Sequence, residues 1–161
     1  MDDLTEFSAS VGRLLKTRQE TVAVAESSTG GLISASLLSV SGASSYFVGG
    51  GVIYTLAARE GLLPDGTEAL KGIRSASEPY AVWLSRVMRE QLGATWGLAE
   101  TGASGPTGNR YGDKPGHTCL AVSGPVEHVR TIETGGDDRQ SNMWRFTREA
   151  LSLLEEALGE A

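Results

Sequence analysis

A chain of 161 residues with 20 acidic against 14 basic side chains and a formal charge of −6 has the size of one domain. That charge is the wrong sign for a protein that grips nucleic acid by its phosphates. Cys119, the one cysteine, has no disulfide partner within the chain, and the first ten residues mix acids with apolar side chains instead of forming a secretion signal. No apolar run approaches the ~20 residues that span a bilayer. The expected protein is cytoplasmic, with residues 1–161 forming one domain and with neither a membrane span nor a nucleic-acid partner.

Leu4, Phe7, Val11, Leu14 and Leu15 recur at helical spacing and predict an amphipathic helix ending near Arg18. Thr21–Glu26 reads as a short buried strand that runs into the Ser27–Gly31 loop, and a second helix follows from about Gly31 to Ser39. Gly42–Ser45 leads to a strand over Tyr46–Tyr54, whose bare Gly49–Gly51 backbone predicts a close approach by another group. Leu56–Leu63 is a short helix stopped by Pro64. Ser77 caps the next helix, which has Pro79 in its first turn and Leu84, Val87, Met88 and Leu92 facing inward. Thr95–Thr101 is a strand, and the Gly102–Gly116 loop after it is too long to be a mere connection. His117–Ser123 and Val126–Thr134 form a hairpin around Gly124-Pro125, and a last helix buries Trp144, Thr147, Leu151, Leu154 and Leu158. This order predicts an α/β fold, a three-layer α/β/α sandwich on a mixed parallel and antiparallel sheet.

Three loops rich in Ser, Thr and Gly adjoin predicted strands: Ser27–Gly31, Gly42–Ser45 and Gly102–Gly116. They are expected to converge at the carboxyl ends of the strands, where α/β sheets bind ligands. In the first loop, two readings stand side by side: the helix start holds an anion, or Ser28 or Thr29 merely caps the helix. Neither a Walker A nor a dinucleotide GxGxxG is present.

Ala25–Gly31 reads AESSTGG, Gly42–Phe47 reads GASSYF and Thr101–Pro106 reads TGASGP, with Ser77-Glu78, Lys114-Pro115 and Asp138-Arg139 between and after them. In the same order and at close to the same spacing, these boxes resemble the AESCTGG, GSSxWF, TGIAGP, SE, KPxGT and GDR boxes of the CinA C-terminal domain family. Its stand-alone form is the nicotinamide-nucleotide amidase. The resemblance implies hydrolysis of the carboxamide of nicotinamide mononucleotide to the acid and ammonia, by a serine-type mechanism assisted by a lysine. It implies no cofactor and a homo-oligomer whose partner molecule is a small nucleotide substrate. Ser27, Ser44, Tyr54 and Thr101 match family hydroxyls, with Ser44 favoured as the attacking group and Ser45 its neighbouring competitor. Ser28, Thr29, Gly30, Gly102 and Gly105 would line the substrate.

The departures matter as much. Arg59 stands where the catalytic lysine is expected, and a guanidinium stays protonated, so it accepts no proton at neutral pH. Arg59 is left with holding a phosphate or carboxylate. Of the three lysines, Lys16 and Lys71 fall outside the motifs and Lys114 lies in the long loop, as a ligand contact or a substitute base. Arg110 and Tyr111 either fork a phosphate and stack on a ring or pair with one another in a solvated loop. Arg139 and Arg145 either contact phosphate or form helix-surface salt bridges. His117 is either a second base or a packed strand-edge histidine, His128 is a surface residue, and Cys119 is a buried inert thiol. Two histidines and one cysteine supply no ligand set for a catalytic zinc, so no metal is expected.

Overall fold

The computed structural model describes residues 2–161, with side chains from Leu4 onward. Helix α1 (Asp2–Arg18) leads to strand β1 (Val22–Glu26), helix α2 (Leu32–Leu38), a 3₁₀ turn (Ala43–Ser45), strand β2 (Phe47–Val52) and helix α3 (Leu56–Leu62). Helix α4 (Glu78–Leu92), strands β3 (Trp96–Ala103), β4 (His117–Ser123) and β5 (His128–Glu133), and helix α5 (Arg139–Glu160) complete it. The described strands form one mixed sheet in the order β2-β1-β3-β4-β5; β1 runs parallel to both β2 and β3, while β3, β4 and β5 are antiparallel in turn.

Alternation along the strands divides the core into two. Val22, Val24, Trp96, Leu98, Leu120 and Val122 point to the layer of α1, α2 and α5, where Val11, Leu15, Ile33, Leu37, Phe146, Leu151 and Leu154 are buried. Ala23, Ala25, Ala99, Cys119 and Ala121 face α4, whose Tyr80, Ala81, Leu84 and Met88 cover them. Small residues dominate this second face because α4 lies close to the sheet: a Cβ on Gly97 would come 2.0 Å from the Ser85 carbonyl oxygen. Burying both faces makes the expected three-layer sandwich.

Some boundaries move. Leu92, at the open end of α4, is exposed, and Trp144 lies on the outer side of α5, so neither joins the core as expected. Strand β3 continues through Gly102 and Ala103, because both pair with β4, and the long loop therefore begins at Ser104. Ser77 caps α4 by accepting from the Tyr80 amide. The close approach expected at the Gly49–Gly51 backbone comes from within the chain: Ser34 Oγ would lie 2.7 Å from a Cβ on Gly50.

The largest revision concerns the end of the sheet. Gly42–Ser45 precedes β2, and the Tyr46 carbonyl accepts from the Val22 amide at the start of β1, whereas Ile53 donates to Glu26 at its end. In a parallel pair these are opposite edges, about 20 Å apart across the six residues between Tyr46 and Ile53. The second loop therefore does not converge with the other two.

Gly97→Ala is expected to push α4 off β3 and lower stability by about 2–3 kcal/mol, the usual range for overpacking, read from the urea midpoint.

Candidate active site

Two carboxylates without solvent exposure shape the first loop. Glu26 ends β1, and one and two places beyond the last β1–β3 pair (Ala25 with Ala99) Glu26 comes beside Glu100 and Ser27 beside Thr101. Glu26 accepts from Thr29 Oγ1 and from the Gly31, Ile33 and Ser34 amides at 2.8–3.1 Å, so it supplies the acceptors that the first turn of α2 needs. Glu100 accepts from the Ser27 and Thr29 amides and from the hydroxyls of Ser28, Thr29 and Thr118, at 2.5–3.0 Å. Each of these partners is a neutral N–H or O–H, and together they fix the turn from Ser27 to Gly31.

This corrects two expectations. The N-cap of α2 is Gly31, with no side-chain cap; Glu26 performs the capping that Ser28 or Thr29 was expected to provide. The Ser28 and Thr29 hydroxyls are buried and committed to the carboxylates, so they build the turn and do not face a ligand. Ser27 differs: half-buried, it uses its amide on Glu100, while its hydroxyl makes no hydrogen bond among the described residues. The alternation that turns Glu26 and Glu100 to one face turns Ser27 and Thr101 to the other.

Tyr54, one residue past Ile53, and Gly105, at the start of the long loop, are joined by Arg139. Its guanidinium donates to the Gly105 carbonyl at 2.5 Å and to the Tyr54 hydroxyl at 3.1 Å, linking the ends of the two strands that flank β1. The Asn142 amide, buried one turn along α5, donates to the Ser104 and Gly136 carbonyls and holds the same corner. Ser104, a residue that the motif reading passed over, is buried with its hydroxyl unpaired among the described residues. Gly30 forms the exposed corner of the first turn and Gly102 packs its backbone against His117. Ser27, Tyr54, Thr101, Gly30, Gly102, Gly105 and Arg139 thus gather at the carboxyl end of the sheet.

The other candidates stand differently. Ser44 and Ser45 are exposed at the opposite edge, beside Lys16, whose ammonium donates to the Ser41 carbonyl. Arg59 stays at the carboxyl end: it lies on α3, which directly follows Tyr54, with its guanidinium 5.9 Å from the ring of Tyr80 in the first turn of α4. Arg110 lies over the Tyr111 ring and donates to its hydroxyl, and Arg74 covers the same ring at 5.1 Å, so the loop's aromatic and cations pair with one another. Lys114 is exposed on the outer part of that loop. Arg145 pairs with Glu149 one turn along α5, the surface alternative weighed for it.

Cys119 is buried, and desolvation pushes its thiol up to about 11, which keeps it an unreactive thiol. A groove of about 490 Å³ lined by Ile73, Glu78, Pro79, Val82, Trp83 and Arg86 lies on the outer side of α4. No helix among the described residues is long and apolar enough to cross a membrane.

The model of the CinA C-terminal domain family matches residues 4–158. The chain belongs to that family. CinA-like proteins from Picosynechococcus and Desulfosudis oleivorans are 37% and 39% identical to it over 84% and 94% of this chain. The chain spans only 33% and 37% of those proteins, about a third of each. Among solved structures, a competence/damage-inducible protein from Agrobacterium tumefaciens has a TM-score of 0.89 at 28% identity, over 98% of this chain and 96% of that one. The competence damage-inducible protein A of Klebsiella pneumoniae gives 0.86 at 26% identity, over 97% of each chain.

If the turn is built as described, Glu100→Gln keeps one carbonyl oxygen for the Ser27 and Thr29 amides and turns an NH2 toward the Ser28 and Thr118 hydroxyls, which must then reverse from donating to accepting. Losing these charge-assisted bonds is expected to cost about 2–3 kcal/mol. Thr118→Val, which removes one of those donors, is expected to cost about 1 kcal/mol. Urea unfolding of the two variants checks the contrast.

Proposed function

We propose that this CinA-type domain binds nicotinamide mononucleotide at the carboxyl end of its sheet and hydrolyses the carboxamide, with Ser27 as the attacking hydroxyl. The observation that carries the reading is the free Ser27 hydroxyl beside Thr101, on a turn whose other hydroxyls are committed to buried carboxylates. Ser27 replaces Ser44 in that role because Ser44 sits at the opposite edge of its own chain.

In this scheme Ser27 Oγ bonds to the carboxamide carbon and the carbon–nitrogen bond breaks. The nitrogen leaves as ammonia, taking the serine proton, and water then cleaves the acyl ester to release the acid and restore Ser27. Within the turn, the Ser27, Thr29 and Gly31 amides donate to the carboxylates and the Gly30 amide donates to the Ser27 carbonyl. That leaves the Ser28 amide to meet the oxyanion. Thr101 is buried and its Oγ1 accepts from the Ala76 amide, which leaves its own O–H free to donate to another acceptor. Arg139 supplies positive charge at the rim for the phosphate.

Arg59 favours a second reading, a domain that binds the nucleotide without turning it over, since the guanidinium cannot take the serine proton. Ammonia release and calorimetry separate the two. The amidase reading expects slow release from the mononucleotide, abolished in Ser27→Ala and raised at least roughly tenfold in Arg59→Lys, the gain general-base assistance typically exceeds. Saturable binding with no ammonia from either the natural chain or Arg59→Lys supports the binding reading, and no binding at all rejects both.

We also propose that a second copy of the chain covers the β2 edge. Leu38, Val48, Val52, Tyr54 and Leu56 are 43–58% exposed along that edge strand and its flanks, an apolar edge that soluble proteins normally cover. Val48→Lys with Val52→Lys is expected to yield a monomer in sedimentation where the natural chain is larger; an unchanged sedimentation coefficient contradicts the assignment.

A further inference from the structure

His117 opens β4 and is 6% exposed, and both of its ring nitrogens meet acceptors. Nδ1 lies 2.5 Å from the Glu133 carboxylate on β5, and Nε2 lies 2.8 Å from the Ala76 carbonyl and 3.6 Å from Asp113. A neutral imidazole carries one N–H, so only the doubly protonated ring satisfies both contacts. The surrounding groups suit a cation. Asp113, in the long loop, also accepts a bidentate contact from Arg74 and one from Asn109. Cys119 on β4 offers its sulfur 3.8 Å from Nε2, and Glu78 on α4 accepts from Thr131, the neighbour of that sulfur.

Ala76 is the second half of the device. Its φ of +53° is a left-handed conformation that a residue with a Cβ adopts at a cost, so the surroundings must hold it there. They hold it on both sides: the carbonyl accepts most closely from His117, at 2.8 Å, and at longer range from Arg74 at 3.3 Å and the Cys119 thiol at 3.6 Å, while the amide donates to Thr101 Oγ1 at 3.1 Å. Ala76 thus connects an imidazolium that lies off the gathered site to a hydroxyl that lies in it. The residue that the family boxes place at position 117 is small, so this link belongs to the present chain.

We propose that His117, as an imidazolium clamped by Glu133, Asp113 and the Ala76 carbonyl, is a positioning residue that fixes the Ala76 peptide and through it the Thr101 hydroxyl. The amidase reading enters only in what Thr101 then does. Burial of the ring works against its charge, but the hydrogen bonds to Glu133 and Ala76 and the nearby Asp113 and Glu133 charges outweigh that and raise its pKa above the ordinary histidine value. A value raised by folding stabilises the native state fully below about pH 6.5, and the contribution is lost as pH climbs through the raised value. When the proton leaves, the Glu133 carboxylate, the stronger acceptor, retains the one on Nδ1. Nε2 then turns a lone pair toward the Ala76 oxygen, which loses its shortest hydrogen bond and keeps only the longer contacts from Arg74 and Cys119, so the peptide shifts.

The test is a pH titration of the full chain by nuclear magnetic resonance, following the His117 ring nitrogens, the Ala76 amide and the Thr101 methyl, with His128, bonded to Glu160, as the internal control. Near pH 6, just below the ordinary histidine value, both His117 nitrogens are expected to carry protons. As pH rises, Nε2 loses its proton, and the Ala76 and Thr101 signals shift with the same midpoint. His117→Gln is expected to abolish that shared titration and to lower ammonia release roughly tenfold, with the pH dependence gone, as expected for one lost charged hydrogen bond. An unprotonated Nε2 near that pH, or an Ala76 amide indifferent to His117, overturns the proposal even if the variant fails to fold. If the natural chain releases no ammonia at any pH while Ala76 and Thr101 still follow His117, the amidase reading fails and the positioning role stands.

Discussion

The site depends on two carboxylates buried at adjacent strand ends whose oxygens are satisfied by hydrogen-bond donors of the loop above them. Burying a carboxylate costs several kcal/mol unless its oxygens are satisfied, so the chain around Glu26 and Glu100 has little freedom to be anything but the observed turn. Glu26 gathers the first amides of α2 and Glu100 gathers the Ser27–Thr29 stretch together with β4. The hydroxyls of Ser28 and Thr29 are absorbed in this work, and the one that is not, Ser27, is left facing the other side of the sheet. Rigidity of the turn and availability of one hydroxyl have the same cause.

The family boxes and the order of elements were legible in the sequence because both rest on local patterns: the stripe of α1, the β-branched run of β1, the Ser77 cap and the glycine boxes. The sandwich followed from the alternation of strands with helices. What the sequence concealed was polarity. Gly42–Ser45 looks like the other two loops in composition, but it enters a parallel strand while they leave theirs, and that reversal carries Ser44 to the far edge. Strand pairing decides this, and no residue type signals it. The same limit hid the use of Ser28 and Thr29, since a hydroxyl that binds a ligand and one that binds a carboxylate look alike until the partner Glu100, 72 residues from Ser28, is placed beside them.

The basic residues illustrate a related point. Arg74, Arg110 and Arg130 are all occupied by partners in the fold, through Asp113, Tyr111 and Glu156. Arg139 also has partners, but those partners are the ends of the site, so its occupation is what brings it to the rim. Arg59 departs from the family lysine and His117 from a small residue. The first puts a permanent cation where the family boxes have an amine, and the second puts an imidazole against Ala76, so the charged groups at this end of the sheet differ from the pattern the boxes imply.

The most direct measurement is a crystal structure of the chain soaked with nicotinamide mononucleotide. The carboxamide is expected within hydrogen-bond reach of the Ser27 hydroxyl and the Ser28 amide, with the phosphate toward Arg139. A nucleotide seated instead against Ser44 and Lys16 at the opposite edge, with the Ser27–Gly31 turn empty, would contradict this placement.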